Sequence, residues 1–218
     1  MRHWIIVLAL LAILIGVGQV DAEVFTGATF DTNGNGSASV DPAFEPGSEE
    51  IRIFKEFTAM GPIDTQFSLE PGGASIMGLF IREEITNNTG VAWGDYHFQL
   101  GFGLGDEFTP SGVDDGLSFV IDNPMLYQSD HSIAFPNNLP GNPDGQGWDS
   151  WDFWGGNVQP NGTVILGLQL ADTGQRSSFT LRQQPSPIPE PSTLILLTMG
   201  AVGLQAYGWR RRKAGSRP

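Results

Sequence analysis

"TNNTGVAWGDYHFQLGFG", residues 86–103, decides the fold class. After a turn signal of Asn87, Asn88 and Gly90, the residues Tyr96, Phe98 and Leu100 alternate with His97, Gln99 and Gly101. A period of two is the mark of a β-strand with one face in a core and the other in water. Reading outward, the chain breaks into short runs of the same kind: Val24 to Phe30, Ile51 to Thr58, Ala74 to Ile85, Leu117 to Ile121, His131 to Phe135, Trp151 to Trp154, Thr163 to Leu170 and Phe179 to Arg182. Turn clusters such as "DTNGNG", "AMGPID" and "QPNG" divide them, and Pro160-Asn161-Gly162 reads as a hairpin signal before Val164, Leu166, Leu168 and Leu170. Roughly nine or ten strands at this spacing, with no helical period between the two ends, predict an all-β domain. The expected architecture is an antiparallel two-sheet β-sandwich, jelly-roll or Ig-like, with an N-terminal signal helix before it and a C-terminal transmembrane helix after it.

Composition agrees with that class, since 29 Gly and 15 Pro suit a chain rich in turns. The formal charge is −13, and its basic residues are unevenly placed. Arg210, Arg211, Arg212, Lys213 and Arg217 lie in the tail, leaving Arg52, Lys55, Arg82, Arg176 and Arg182 among the acids of the middle. An acidic domain of this kind repels phosphate backbones, which argues against nucleic-acid binding. There is no cysteine, so disulfides, thiolate catalysis and cysteine-bound zinc are excluded.

At the N-terminus, Arg2 and the apolar run Trp4 to Val17 lead to Val20-Asp21-Ala22, a signal peptide over residues 1–22 with cleavage between Ala22 and Glu23. The folded domain is expected over 23–182 and a proline-rich linker over 183–188. From Pro191 to Trp209 no residue is charged, long enough for one span at about 1.5 Å per residue. The expected transmembrane segment is about 192–209. The basic tail Arg210, Arg211, Arg212 and Lys213 then stays on the cytoplasmic side.

Pro189-Glu190-Pro191, an apolar segment and an arginine cluster near the end, together over residues 189–213, resemble the PEP-CTERM sorting signal of Gram-negative bacteria. The phrase at 86–103 is also similar to β-sandwich segments of other proteins with that signal. The resemblance implies export by the Sec machinery and an inner-membrane intermediate with the domain in the periplasm. It also implies recognition by an exosortase at Pro189, Glu190 and Pro191, with delivery to the cell surface or an extracellular polysaccharide matrix. Proline on both sides of Glu190 keeps that stretch extended and open to a protease.

Chemistry beyond sorting is sparse. "DTNGNG" places Asp31, Asn33 and Asn35 as candidate calcium ligands, although Pro42 stands where a bidentate glutamate belongs. Trp148, Trp151 and Trp154, with Asp149 and Asp152, are candidate sugar contacts, although alternation sends Trp151 to the face opposite Trp148 and Trp154. His97 and His131 belong to no metal-binding pattern, and no serine stands on a GxSxG elbow. Asp114 and Asp115 read as a solvated loop. The expectation is a non-enzymatic surface or matrix protein without a cofactor, associated with exopolysaccharide. The alternatives are a glycan-binding module and a hydrolase of unrecognised type.

Overall fold

The computed structural model describes residues 22–73, 78–112, 115–120, 126–128, 134–143, 148–172 and 176–188. The expected signal and transmembrane helices lie outside them. Thirteen strands follow in chain order. The first six are β1 (Ala22–Asp31), β2 (Gly36–Val40), β3 (Glu50–Phe57), β4 (Ile63–Gly73), β5 (Leu79–Asn87) and β6 (Trp93–Phe102). After a single 3-10 turn at Gly105–Glu107 come β7 (Thr109–Pro110), β8 (Leu117–Phe119), β9 (Leu126–Gln128) and β10 (Asn137–Pro143). The last three are β11 (Trp148–Val158), β12 (Thr163–Asp172) and β13 (Ser178–Pro187).

Hydrogen bonding runs in the order β1-β4-β13-β6-β11-β8-β12-β5-β3-β2. At the β11–β8 junction a single register pair, Trp148 with Phe119, joins the two halves, and the chain there divides into two facing sheets. One carries β1, β4, β13, β6, β11, β10 and β7; the other carries β8, β9, β12, β5, β3 and β2. Side chains from the two sheets meet between them. The Phe57 ring of β3 packs edge-on against Trp93 and Tyr96 of β6, at 5.6 and 6.1 Å between centroids. Alternation fills this space as the sequence predicts: Tyr96, Phe98 and Leu100 face inward with Val164, Leu166, Leu168 and Leu170 from the other sheet. The sandwich is antiparallel except for β3 and β5, which run parallel with Ile53 opposite Glu83.

Three local expectations are corrected. First, the strand read over Ala74 to Ile85 starts within the described residues at Leu79, as β5, with Gly78 outside it and residues 74–77 outside the described residues. Second, Pro160-Asn161-Gly162 makes a turn with Gly162 N–H bonded to Gln159 O at 2.9 Å and Asn161 at φ 65°, the type II pattern. It is no hairpin, because β11 and β12 lie in opposite sheets. The local signal encodes a reversal but not which strand will be the partner.

Third, the linker over 183–188 belongs to the sandwich. Gln183 through Pro187 continue β13, opposite Phe98, His97, Tyr96, Asp95 and Trp93 of β6. Proline tolerates this because β4 accompanies β13 only as far as Gln183, so Pro185 and Pro187 occupy a stretch with one strand neighbour. Ile188 N–H then bonds Ala92 O at 3.1 Å. Its Cα lies where a Cβ on Gly94 would come within 2.8 Å, so only glycine at 94 admits it.

Candidate functional site

The outer face of β10, β11, β6 and β13 gathers the chemistry-bearing side chains. Register places Trp154 beside Asn137 and Asp95, with Ser186 next along the row. The neighbouring row is Leu139, Asp152, His97 and Gln184, and the third is Ser150, Gln99 and Arg182. Trp154 is 41% exposed and Leu139 59%, two apolar groups among amides, hydroxyls, carboxylates and an imidazole. His97 Nδ1 lies 2.7 Å from Asp152 Oδ1, and Ser186 Oγ lies 3.4 Å from His97 Nε2. The residue types are those of a serine triad. The setting differs from one in its openness, because His97 and Asp152 side chains are 43% and 56% exposed on an open sheet face, and the Ser186–His97 hydrogen bond is long. Such a face offers an indole for stacking and a ring of groups that bond hydroxyls.

Other predicted residues separate. Trp151 is buried with Phe153, its ring centroid 6.2 Å away, and Phe153 packs edge-on against Phe98. Trp151 is thereby removed from the candidate sugar contacts, since an indole in the core has no face left for a sugar; Trp154 keeps an exposed face, and the Trp148 side chain lies outside the described residues. Asp149 is buried, whereas Asp152 is exposed. In the "DTNGNG" turn, Asp31 Oδ1 accepts Asn33 N–H at 2.9 Å and Asn35 donates its amide to Pro62 O at 3.0 Å. Asp31 thus caps the turn and Asn35 ties it to the 58–62 loop, with Asn33 and Gly34 at φ 48° and 75°. Asp115 ties its loop. Burial pushes its carboxyl up, but Leu117 N–H, Gly112 N–H, the Ser111 hydroxyl and Arg176 together hold it below the usual carboxylate range. Ala22 starts β1, and Glu23 is already buried in the ladder opposite Pro71. His131, Asp114, Pro189, Glu190, Pro191, Arg210, Arg211, Arg212 and Lys213 lie outside the described residues.

Sequence reading missed a buried ionic cluster between the sheets. Lys55 of β3 donates to Glu83 of β5 at 2.8 Å and to Gln183 Oε1 of β13, while Gln183 Nε2 donates to the other Glu83 oxygen. All three are buried. Burial lowers the Lys55 pKa, and Glu83 opposes that shift. Burial likewise raises the Tyr96 phenol well above its usual value, with the Glu83 charge adding to it, and the Tyr96 hydroxyl has no hydrogen-bond partner among the described residues. The signal was present: Lys55 follows Ile51 and Ile53 at inward parity, and Glu83 follows Leu79 and Ile81. Opposite charges at apolar parity in two strands mark an internal pair. On the outer face, Asp64 receives a two-pronged bond from Arg182, both contacts at 2.7 Å. Arg182 also donates to Gly105 O at 2.7 Å and lies 3.9 Å over the Phe108 ring, pinning the 103–108 loop to the sheet.

Comparison with protein families matches residues 187–213 to the PEP-CTERM protein-sorting motif. The chain carries a PEP-CTERM sorting signal. The match starts at Pro187, the last residue of β13, so the PEP-CTERM segment begins on the sandwich itself with no spacer. The motif makes the protein an exosortase-sorted, exported one that passes through a membrane-anchored intermediate to the cell surface. Neither the curated proteins nor the solved structures contain a match to this chain.

Proposed function

We propose that this is a non-enzymatic cell-surface or matrix protein of a Gram-negative bacterium whose outer sheet face, centred on Trp154, holds extracellular polysaccharide. The observation that carries the reading is an exposed indole flanked by Asp95, Asn137 and the His97–Asp152 pair on an open sheet face. Open polar faces with one aromatic suit a polymer laid across several strands better than a small substrate, which needs enclosure. The open setting of His97 and Ser186 supports binding over hydrolysis, and neither a metal nor another cofactor is needed. Sorting delivers the domain to where such a polymer would be met.

The test is retardation of the protein in gels cast with acidic and neutral polysaccharides. Trp154→Ala, which loses a stacking contact of about 0.5–1.5 kcal/mol, should weaken retardation by roughly 2- to 12-fold, and Leu139→Ser by less. Equal retardation of wild type and Trp154→Ala, or none on any polymer, refutes the glycan reading. Turnover of an ester or peptide substrate that Ser186→Ala abolishes would favour the hydrolase instead.

A further inference from the structure

The end of the sandwich from which the sorting motif leaves is built unlike the rest of this acidic protein. Four loops meet there, residues 32–35, 58–62, 88–92 and 159–162, and hydrogen bonds knit them together. Thr58 and Ala59 N–H bond Asn35 O, Asn88 N–H bonds Phe57 O, and Asn161 N–H bonds Asn87 O. Asn87 is the central clamp: its buried amide donates to Val91 O and Val158 O, both at 2.9 Å, and its oxygen accepts from Thr89. Gln184 reaches Met60 O at 3.1 Å, and Ile188 closes on Ala92. The rim is therefore fixed relative to the last residue before the PEP tripeptide.

None of those four loops carries a charged residue, in a chain of net charge −13. Two apolar side chains stand out from the rim, Val91 at 47% and Ile188 at 38% exposure. The loop at the opposite end, 41–49, carries Asp41, Glu45 and Glu49. The charges bordering the rim are Asp31 with Asp106 and Glu107 on the β1 side, Asp95 opposite Ser186, and Glu56, which accepts from Asn88 at 2.6 Å. Covalent reach decides what faces this surface. Only Pro189 and Glu190 separate Ile188 from the uncharged stretch that starts at Pro191, so the rim can stand off by about 10 Å at most. The headgroup layer on one side of a bilayer is itself roughly 5–7 Å thick.

We infer that, in the membrane-anchored intermediate, this rim rests on the headgroup layer of the bilayer, with Val91 and Ile188 entering the interface and the acidic loops pointing away. The inference rests on the anchored intermediate that the sorting motif implies. An uncharged rim is the side of a strongly acidic domain least repelled by anionic lipid. The sorting enzyme then meets its PEP tripeptide within that covalent reach of the membrane, next to the end of β13.

The chain has no cysteine, so a single introduced thiol can be labelled cleanly. The full chain lacking its signal peptide, carrying Val91→Cys or Glu45→Cys with a polarity-sensitive fluorophore, is reconstituted into vesicles of zwitterionic and anionic phospholipid containing a spin-labelled lipid. Quenching of the Val91 probe should exceed that of the Glu45 probe by about twofold or more, with a blue-shifted emission. Failure of the protein to float with the vesicles overturns the anchoring and this inference together. Flotation with equal, weak quenching at both probes overturns the inference alone. So does a Val91 probe that is shielded only when exosortase is co-reconstituted, which would make the rim a protein contact.

Discussion

Replacing Lys55 with methionine tests the internal cluster most sharply. Methionine keeps the length of the side chain but removes the cation that binds Glu83 at 2.8 Å and Gln183. Glu83 is then left as a buried carboxylate with one amide donor, from Gln183. Stranding one partner of a buried pair costs about 3–5 kcal/mol, a large share of the roughly 5–15 kcal/mol that holds a domain together. At about 2–4 °C per kcal/mol for a chain of this size, the midpoint of thermal unfolding should fall by roughly 6–20 °C. The double variant Lys55→Met/Glu83→Leu should recover part of the loss, ending about 1–3 kcal/mol below wild type, because no charge is left buried but the Gln183 amide loses both partners. Thermal and urea unfolding of the mature chain in mild detergent reads both. A single variant within about 1 kcal/mol of wild type, or a double variant as damaged as the single, refutes the reasoning.

Other outcomes follow from the same geometry. Tyr96→Phe should be neutral or slightly stabilising near neutral pH, since the lost hydroxyl has no hydrogen-bond partner among the described residues. The phenol titrates in the fold well above its ordinary value of 10.0, so its contribution is complete below that value and is lost as pH climbs above it. Tyr96→Phe therefore flattens the alkaline limb of the stability curve; an unchanged limb counts against it. Arg182→Ala strands the buried Asp64 and frees the 103–108 loop, so it should cost about 3 kcal/mol and open that loop to limited proteolysis. Glu190→Ala, or removal of the exosortase, should leave a full-length membrane-bound form, and identical size and release in both backgrounds would contradict the sorting role. Calcium and EDTA should give the same unfolding midpoint, because Asp31 caps its own turn and Asn35 ties that turn to Pro62; a calcium-dependent rise would support the cation loop instead.

Alternation was enough to foresee much of this molecule. Tyr96, Phe98 and Leu100 point inward as alternation predicts; it also puts Trp151 with Phe153 on the face opposite Trp154, but with tryptophan on both faces only packing decides that Trp151 is the buried one. The candidate face was half legible for the same reason: Trp154 and Asp152 share a parity, but His97, Asp95 and Ser186 belong to distant strands that pairing brings alongside. The sorting signal was legible because it is a linear pattern of residue types near the end of the chain. Tertiary structure decided what depends on partners. It turned 183–187 from a proline-rich linker into the end of β13, because β6 supplies a ladder along one side and β4 leaves the other side free. It also joined Lys55, Glu83 and Gln183 across two sheets, since only packing fixes which buried charges meet.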